Sequence, residues 1–212
     1  ILHEDERVVV VDKPAGMLAH PVGTDFAWGV VSLGKARWPE RRVDLVHRLD
    51  RDTSGVMALT FDPDANRFLK MRLHEEGTEK VYLALCKGTA PFEEAVLDGP
   101  LGPAGGMVRI QVAVREDGLP SRTDVTVVAR CEDPPLTLVR CRIHTGRTHQ
   151  IRVHLAHAGL PLLGDRLYGV PQEVFLAIQA DGLDDERLAR VGAPRQALHA
   201  ERLRVPHPDG GV

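Results

Sequence analysis

Short apolar or alternating segments predict the strands of this chain. Residues 7–12 and 55–61 are aliphatic runs typical of buried strands, and residues 43–46 form a shorter extended segment between them. Residues 108–114 alternate between apolar and polar positions, as a half-buried strand does. A last strand is predicted over residues 196–205.

The segment 79–87 alternates as well, which predicts a strand with two distinct faces. Because successive side chains of a strand point to opposite sides, Val81, Leu83 and Leu85 share one face. The other face carries Tyr82, followed by Ala84 and Cys86.

Residues 122–130 and 136–144 are predicted to pair as a hairpin around the turn at Pro134 and Pro135. The second strand has one apolar face and one basic face. Val139, Cys141 and Ile143 form the first, and Arg140, Arg142 and His144 form the second.

Helices are predicted over residues 28–38, 148–158 and 184–191, and after Asp62. Asp62 is a good N-cap and is followed by proline, which favours the first helical turn. Apolar residues then recur at helical spacing until Gly77.

The order of these elements indicates the fold class. Strands do not alternate strictly with helices, so the pattern predicts an α+β sheet domain rather than a doubly wound one. Neither repeats nor a linker interrupt the sequence, and residues 1–212 are predicted to form one domain.

Composition narrows the class of protein. Of 212 residues, 43% are hydrophobic and 27% are charged, as in ordinary globular proteins. The apolar stretches are far shorter than the roughly 20 residues that span a bilayer, so no membrane association is expected. Three cysteines and no leader sequence indicate a reducing compartment, and we expect a cytoplasmic protein.

The net charge of -3 excludes a bulk polycation, so any nucleic-acid binding must come from a local patch. Residues 134–164 contain no Asp or Glu, but they contain four arginines and four histidines. This segment is the candidate patch.

Residues 47–55 carry the first candidate chemistry. They form a loop between two apolar strands, and rigidly supported loops commonly hold catalytic residues. His47, two arginines and two aspartates lie within six residues of one another. A surface turn of the same composition is the alternative for this segment taken alone.

Residues 147–154 are the second segment with candidate chemistry. The spacing of their histidines does not suit a metal site. His149 and His154 are five residues apart, not four as in a zinc-binding helix. His154 and His157 have no carboxylate nearby in the sequence. We expect no metal site, and we interpret His144, His149 and His154 as packing residues.

The chain resembles the RluA-like family of pseudouridine synthases. Residues 47–55 match the family signature H-R-L-D-x-x-T-S-G. Five further family signatures occur in the expected order. They are residues 12–16 (DKPAG), 79–84 (EKVYLA), 144–155 (HTGRTHQIRVHL), 164–169 (GDRLYG) and 198–200 (LHA).

The resemblance implies a fold and an activity. The fold would be a mixed, largely antiparallel central sheet flanked by helices, with a catalytic cleft across it. The chain would be the catalytic domain, residues 1–212. It departs from the family pattern in its slightly acidic net charge and in that we expect no separate N-terminal RNA-binding domain in this chain. The activity would be isomerisation of uridine to pseudouridine in ribosomal or transfer RNA.

The resemblance also assigns three catalytic residues. Asp50 falls on the catalytic aspartate, which either attacks C1′ or removes the C2′ proton to give a glycal. Arg152 falls on the arginine that keeps this carboxylate ionised. Tyr82 falls on the tyrosine that stacks on the uracil and helps take the C5 proton; it would be directed into the cleft from the polar side of its strand.

The remaining assignments concern RNA binding. Leu198 would pack against the base, and Arg48 would either fill the gap left by the flipped uridine or contact phosphate. Arg140, Arg142 and Arg147 would bind the RNA backbone. We expect a monomer without a small-molecule cofactor. A catalytically silent RNA-binding module on the same fold is the alternative, and a metal hydrolase is a more distant one.

Overall fold

The computed structural model describes residues 1–20, 29–75 and 77–211. The strands are β1 (His3–Glu4), β2 (Val8–Lys13), β3 (Asp44–Leu45), β4 (Ser54–Thr60), β5 (Glu79–Lys87), β6 (Glu94–Leu97), β7 (Leu101–Pro103), β8 (Val112–Val114), β9 (Thr123–Cys131), β10 (Leu136–Ile143) and β11 (Leu198–Arg204). The helices are α1 (Val30–Arg37), α2 (Pro63–Arg72), α3 (Gln150–His157), α4 (Gln172–Asp181) and α5 (Asp185–Val191). The helix predicted from residue 28 therefore begins at Val30 within the described residues, and Trp28 lies outside them.

The chain divides into two compact units. The first unit comprises Ile1–Lys80 and His199–Val212, and the second comprises Val81–Leu198. Both units combine a sheet with helices, so the predicted α+β class is confirmed. None of the described helices has the length and apolar character needed to cross a membrane.

In the first unit, β4 is central to the sheet. It pairs antiparallel with β2 and β3, and β1 extends the sheet beyond β2. On its other side β4 pairs with β11 in parallel, with Ser54 opposite His199. The predicted mixed, largely antiparallel sheet is therefore confirmed. Val8, Val46, Ala58, Leu69 and Leu73 form the core between this sheet and α2.

Helix α2 begins where the sequence predicts, because the Asp62 side chain accepts a hydrogen bond from the Ala65 N–H at 2.8 Å. It ends at Arg72, well before Gly77. Two side chains bind carbonyls at this end: the Thr78 hydroxyl donates to Arg72 at 2.7 Å, and Lys80 Nζ donates to Leu73 at 2.9 Å. These contacts satisfy carbonyl groups that a longer helix would use internally.

In the second unit, the sheet runs β5–β10–β9–β6 and all its ladders are antiparallel. The predicted hairpin is β9 and β10, and its two faces are confirmed. Val139, Cys141 and Ile143 are buried, whereas Arg140, Arg142 and His144 are exposed.

One expectation for the second unit needs correction, and one helix of this unit was missed. Only Val112–Val114 of the strand predicted over 108–114 is extended, as β8, since the Gln111 N–H donates to the Val108 carbonyl and closes a turn. Helix α4 was not predicted, although Val174 and Ile178, four residues apart, form its buried face.

Candidate active site

The loop that carries Asp50 connects β3 to β4 in the first unit. Its neighbour Leu49 is buried and anchors the loop in the core. The Asp50 carbonyl accepts a hydrogen bond from the Thr53 N–H at 3.2 Å, which closes a turn. The Asp50 side chain is half-buried and that of Arg48 is exposed. The loop thus holds a carboxylate at the boundary between core and solvent.

The end of β2 and the segment that follows it form hydrogen bonds with this loop. Lys13 is 1% exposed, and its Nζ donates hydrogen bonds to the carbonyls of Pro14, Met17 and Arg51 at 2.8–3.0 Å. The Gly16 N–H donates to the same Arg51 carbonyl at 2.9 Å, and Arg51 Nε donates to the Gly16 carbonyl at 3.1 Å. Two of the sequence signatures, residues 12–16 and 47–55, therefore meet in one hydrogen-bonded structure.

Gly55 explains why the loop returns to the sheet with glycine. Its φ of +112° is in a region that favours glycine, and a Cβ there would lie 2.2 Å from the Ala200 carbonyl oxygen. This close approach lets β4 pair with β11. Beside it, the Ser54 hydroxyl and His199 Nδ1 are hydrogen-bonded at 3.0 Å.

His47, the first residue of the signature, has a structural role. Its Nε2 accepts a hydrogen bond from the Ala58 N–H at 3.2 Å, so this nitrogen is unprotonated. Burial, and then the positive charge of Lys80, lower the pKa of His47 from 6.5 to about 4. The imidazole is therefore neutral near pH 7 and ties the loop to β4.

Tyr82 lies on β5 in the second unit. It shares a buried face with Ala84 and Cys86, and it faces Cys141 on β10. The expectation that Tyr82 occupies the polar side of its strand is therefore wrong. Both faces of β5 are apolar in sequence, and the face with the smaller neighbours is the one covered by the core.

Arg152 lies on α3, which is more buried than the sequence suggests. All six residues from Gln150 to Leu155 are buried, including Arg152 at 8% exposure. Its guanidinium binds Asp165 through two parallel hydrogen bonds, from Nε to Oδ2 at 2.7 Å and from Nη2 to Oδ1 at 2.9 Å. An arginine that merely solvates its helix would not have this environment.

Asp165 was not among the predicted site residues. It is 0% exposed, and its Oδ1 also accepts from the N–H groups of Leu167 and Tyr168 at 2.9 and 3.1 Å. One sequence signal points to it: Asp165 is the first acidic residue after the acid-free segment 134–164. A lone acid at the end of a basic segment is a candidate counter-ion for it.

The Tyr168 ring packs between Arg152 and the start of α3. The Arg152 Cζ lies 5.0 Å from the ring centroid, a cation–π distance. The Tyr168 hydroxyl accepts from the Val112 N–H at 3.1 Å and is 2.8 Å from His149 Nδ1. His149 has a φ of 56°, which is unusual for a residue other than glycine, and this contact helps to hold it there.

The other predicted RNA-binding residues differ in exposure. Arg140 and Arg142 are exposed on β10, and Arg147 is exposed just before α3, where its Nε donates to the Pro120 carbonyl at 3.1 Å. Asp124 faces Arg142 across β9 and β10. Leu198 is 5% exposed at the start of β11.

Asp124 organises basic side chains on the exposed face of this sheet. It accepts from Arg122 Nε at 2.9 Å and from His144 Nε2 at 2.7 Å. These partners lower the pKa of Asp124, against the opposing effect of partial burial, which is the largest single influence. His144 therefore has a surface ion partner rather than a packing role.

His154 does have the packing role assigned to it. Its Nδ1 is 2.9 Å from the Thr123 hydroxyl and its Nε2 is 2.9 Å from the Gly99 carbonyl, and burial lowers its pKa. Among the residues that the structure describes, no three His, Cys, Asp or Glu side chains converge as metal ligands.

The predicted residues are thus distributed over both units. Asp50 and Arg48 belong to the first, and the second contains Tyr82, Arg140, Arg142, Arg147, Arg152 and Leu198. Each catalytic candidate lies on a hydrogen-bonded element rather than in a loose segment: a braced loop, a strand and a buried helix.

Comparison with known proteins identifies relatives of this chain. A family model described as RNA pseudouridylate synthase matches residues 7–157. Ribosomal large subunit pseudouridine synthase D of Nitrosomonas europaea is 35% identical over 100% of the chain, and ribosomal large subunit pseudouridine synthase C of Salmonella typhi is 40% identical over 100% of it. The chain spans 59% and 63% of the length of these two relatives.

Solved structures show the same fold. Human RNA pseudouridylate synthase domain containing 1 aligns with a TM-score of 0.76 at 24% identity, over 99% of this chain and 79% of that one. Human RNA pseudouridylate synthase domain containing 4 aligns with a TM-score of 0.71 at 25% identity, over 96% of this chain and 82% of that one.

Proposed function

Because the chain belongs to the RNA pseudouridylate synthase family, in agreement with its resemblance to the RluA-like members, we propose that it converts uridine to pseudouridine in large-subunit ribosomal RNA. One observation carries the proposal: the family match over residues 7–157 includes Asp50, Tyr82 and Arg152. The names of the two bacterial relatives favour a ribosomal substrate over transfer RNA.

The proposed reaction is an isomerisation in which no atom of the nucleotide is finally gained or lost. The N1–C1′ bond breaks, the uracil turns, and a C5–C1′ bond forms. The proton on C5 leaves, and N1 takes up a proton from solvent. No oxidant, reductant or metal enters this balance, so the proposal requires no cofactor.

Asp50 acts at the sugar in this proposal. It either attacks C1′ or removes the C2′ proton, and both routes need an ionised carboxylate. Its half-buried position supports either role, because the carboxylate would be accessible to a substrate that binds from the solvent. The turn to Thr53 fixes the Asp50 backbone at the same time. Arg152 is proposed as the cation that keeps this carboxylate ionised, and its burial would make such a charge effective.

Tyr82 and Leu198 are proposed to hold the base. Both are nearly buried, which suits apolar contact with uracil better than contact with solvent. A uridine inside folded RNA has to be flipped out before it reaches them, at a cost of a few kcal/mol. Arg48, exposed on the Asp50 loop, is proposed to fill the gap or to bind the neighbouring phosphate.

Arg140, Arg142 and Arg147 are proposed to bind the RNA backbone, since all three are exposed in the acid-free segment. We also propose that the protein works as a monomer and in the cytoplasm, where a ribosomal substrate would be met.

Tritium release tests the function directly. Large-subunit ribosomal RNA transcribed with 5-tritiated uridine should lose tritium with the wild-type protein, and transfer RNA transcripts serve as the alternative substrate. Asp50→Asn is nearly isosteric but is neither nucleophile nor base, so it should abolish release while the protein stays folded. Asp52→Asn, two residues away, is the matched control and should retain activity. Residual Asp50→Asn turnover within tenfold of wild type would remove Asp50 from catalysis.

A further inference from the structure

The ion pair with Asp165 holds the Arg152 guanidinium in a fixed position. Two parallel bonds join the guanidinium to the carboxylate, and both side chains are buried, Asp165 completely. The carboxylate is itself held by the N–H groups of Leu167 and Tyr168, in the turn that follows α3. The Tyr168 ring packs against the guanidinium at 5.0 Å.

A guanidinium is planar and rigid, so fixing one edge fixes the other. Asp165 occupies the Nε and Nη2 edge of Arg152. The direction in which Nη1 presents its N–H groups is therefore set by Asp165 and not by the flexible stem of the side chain. A negative charge at Asp165 also reduces the cost of keeping the guanidinium buried.

We propose that Asp165 is a positioning residue for the isomerisation: it orients Arg152, and it acts on the reaction only through Arg152. This inference rests on the proposed function. It gives a chemical role to the signature at residues 164–169, whose Asp165 is completely buried.

Asp165→Asn tests the positioning role of Asp165, because the amide has nearly the same volume as the carboxylate that it replaces. The amide oxygen can still accept from Nη2 and from the two backbone N–H groups. The amide nitrogen then replaces Oδ2 and faces Arg152 Nε, which places two donors against each other where the bond is now 2.7 Å. We expect kcat to fall at least about tenfold, as loss of a charge-assisted hydrogen bond would produce, while KM stays within threefold.

Asp62→Asn is the matched control. Asp62 accepts two hydrogen bonds from Arg7, each 3.0 Å long, and one from a backbone N–H, so it forms a similar two-bond arginine pair at a more exposed place in the first unit. Its replacement is expected to lower the melting temperature without lowering kcat. Asp165→Glu is the second variant, in case the amide does not fold. It keeps the charge, displaces it by one methylene, and should lower kcat in the same way.

The decisive measurement repeats Asp165→Asn in an Arg152→Lys background. An ammonium cannot use both carboxylate oxygens as a fork does, so the further loss of kcat should be at most about threefold. An equal loss in both backgrounds would show that Asp165 does not act through Arg152 and would overturn the inference. Folded Asp165 variants with wild-type kcat would also overturn it. If the wild-type protein released no tritium from either RNA, the proposed function itself would fail, and the inference with it.

Discussion

The buried ammonium of Lys13 lies 3.0 Å from the backbone carbonyl of Arg51, the residue that follows Asp50. A side chain at the end of β2 thereby holds the backbone of the loop that carries Asp50. Lys13 also donates hydrogen bonds to the Pro14 and Met17 carbonyls, which belong to the turn that supports the loop. The family signature at residues 12–16 therefore supports the Asp50 loop through hydrogen bonds from the Lys13 side chain to backbone carbonyls.

Lys13→Met should destabilise the protein by about 3 kcal/mol. The change leaves three carbonyls without the ammonium that they share as a donor, and hydrogen bonds to charged groups contribute about 1.5–3 kcal/mol each before relaxation. Urea unfolding measures the loss. Lys35→Met on the exposed side of α1 is the control and should cost less than about 0.5 kcal/mol. Equal stability of both variants would mean that the Lys13 hydrogen bonds contribute little.

Tyr82→Phe should separate stacking from proton transfer. The ring is retained, so RNA binding should stay near the wild-type level, while turnover should fall at least about 100-fold if the hydroxyl takes part in removal of the C5 proton. Tyr82→Leu removes the ring and should weaken binding as well. Filter binding and tritium release measure the two effects. A fully active Phe variant would show that stacking is the whole contribution of Tyr82.

The sequence predicts the hairpin of the second unit well, and the reason is local. A period of two and the prolines 134 and 135 define both strands and their turn without knowledge of any neighbour. The start of α2 is equally local, since Asp62 caps the helix through an N–H that lies only three residues along the chain.

The face of Tyr82 and the partner of Arg152 could not be predicted in this way. Alternation in β5 separates two faces but does not say which one the core covers, because both are apolar. The partner of Arg152 lies 13 residues away, beyond the end of α3, and the turn that carries it has no strong local pattern. Such contacts depend on how the chain returns over the helix.

Replacement of Arg140 and Arg142 by Ala should weaken the salt dependence of RNA binding. Each bound phosphate releases counterions, so the slope of log K against log salt should flatten by about one unit for each phosphate that the variant no longer binds. Arg187→Ala with Arg190→Ala is the charge-matched control, since both arginines lie on α5 and pair with acidic side chains. Unchanged slopes for the first pair would place that face of β10 off the RNA.

His47 should make stability depend on pH in a defined window. Its Nε2 accepts from the Ala58 N–H, so the folded protein favours the neutral ring, and the pKa of His47 is lowered to about 4. In the unfolded chain the ring takes up a proton near pH 6.5. Between these values the unfolded state binds more protons, so the free energy of unfolding should fall as the pH falls from about 6.5 to 4, and His47 should add no further change below 4.

His47→Gln isolates this contribution, because the amide oxygen can accept from Ala58 but does not titrate. Full burial would give about 3 kcal/mol over the window; because the residue is partly exposed, we expect about 2 kcal/mol. Urea unfolding at pH 7 and pH 4.5 should therefore show a loss about 2 kcal/mol larger for the wild type than for the variant.

The lowered pKa of His154 acts in the same direction but is common to both proteins. Asp5, with a pKa lowered to about 2, loses its contribution only at lower pH, as its carboxylate becomes protonated. Parallel curves for the two proteins would therefore mean that His47 keeps an ordinary pKa and that its bond to Ala58 does not hold the loop.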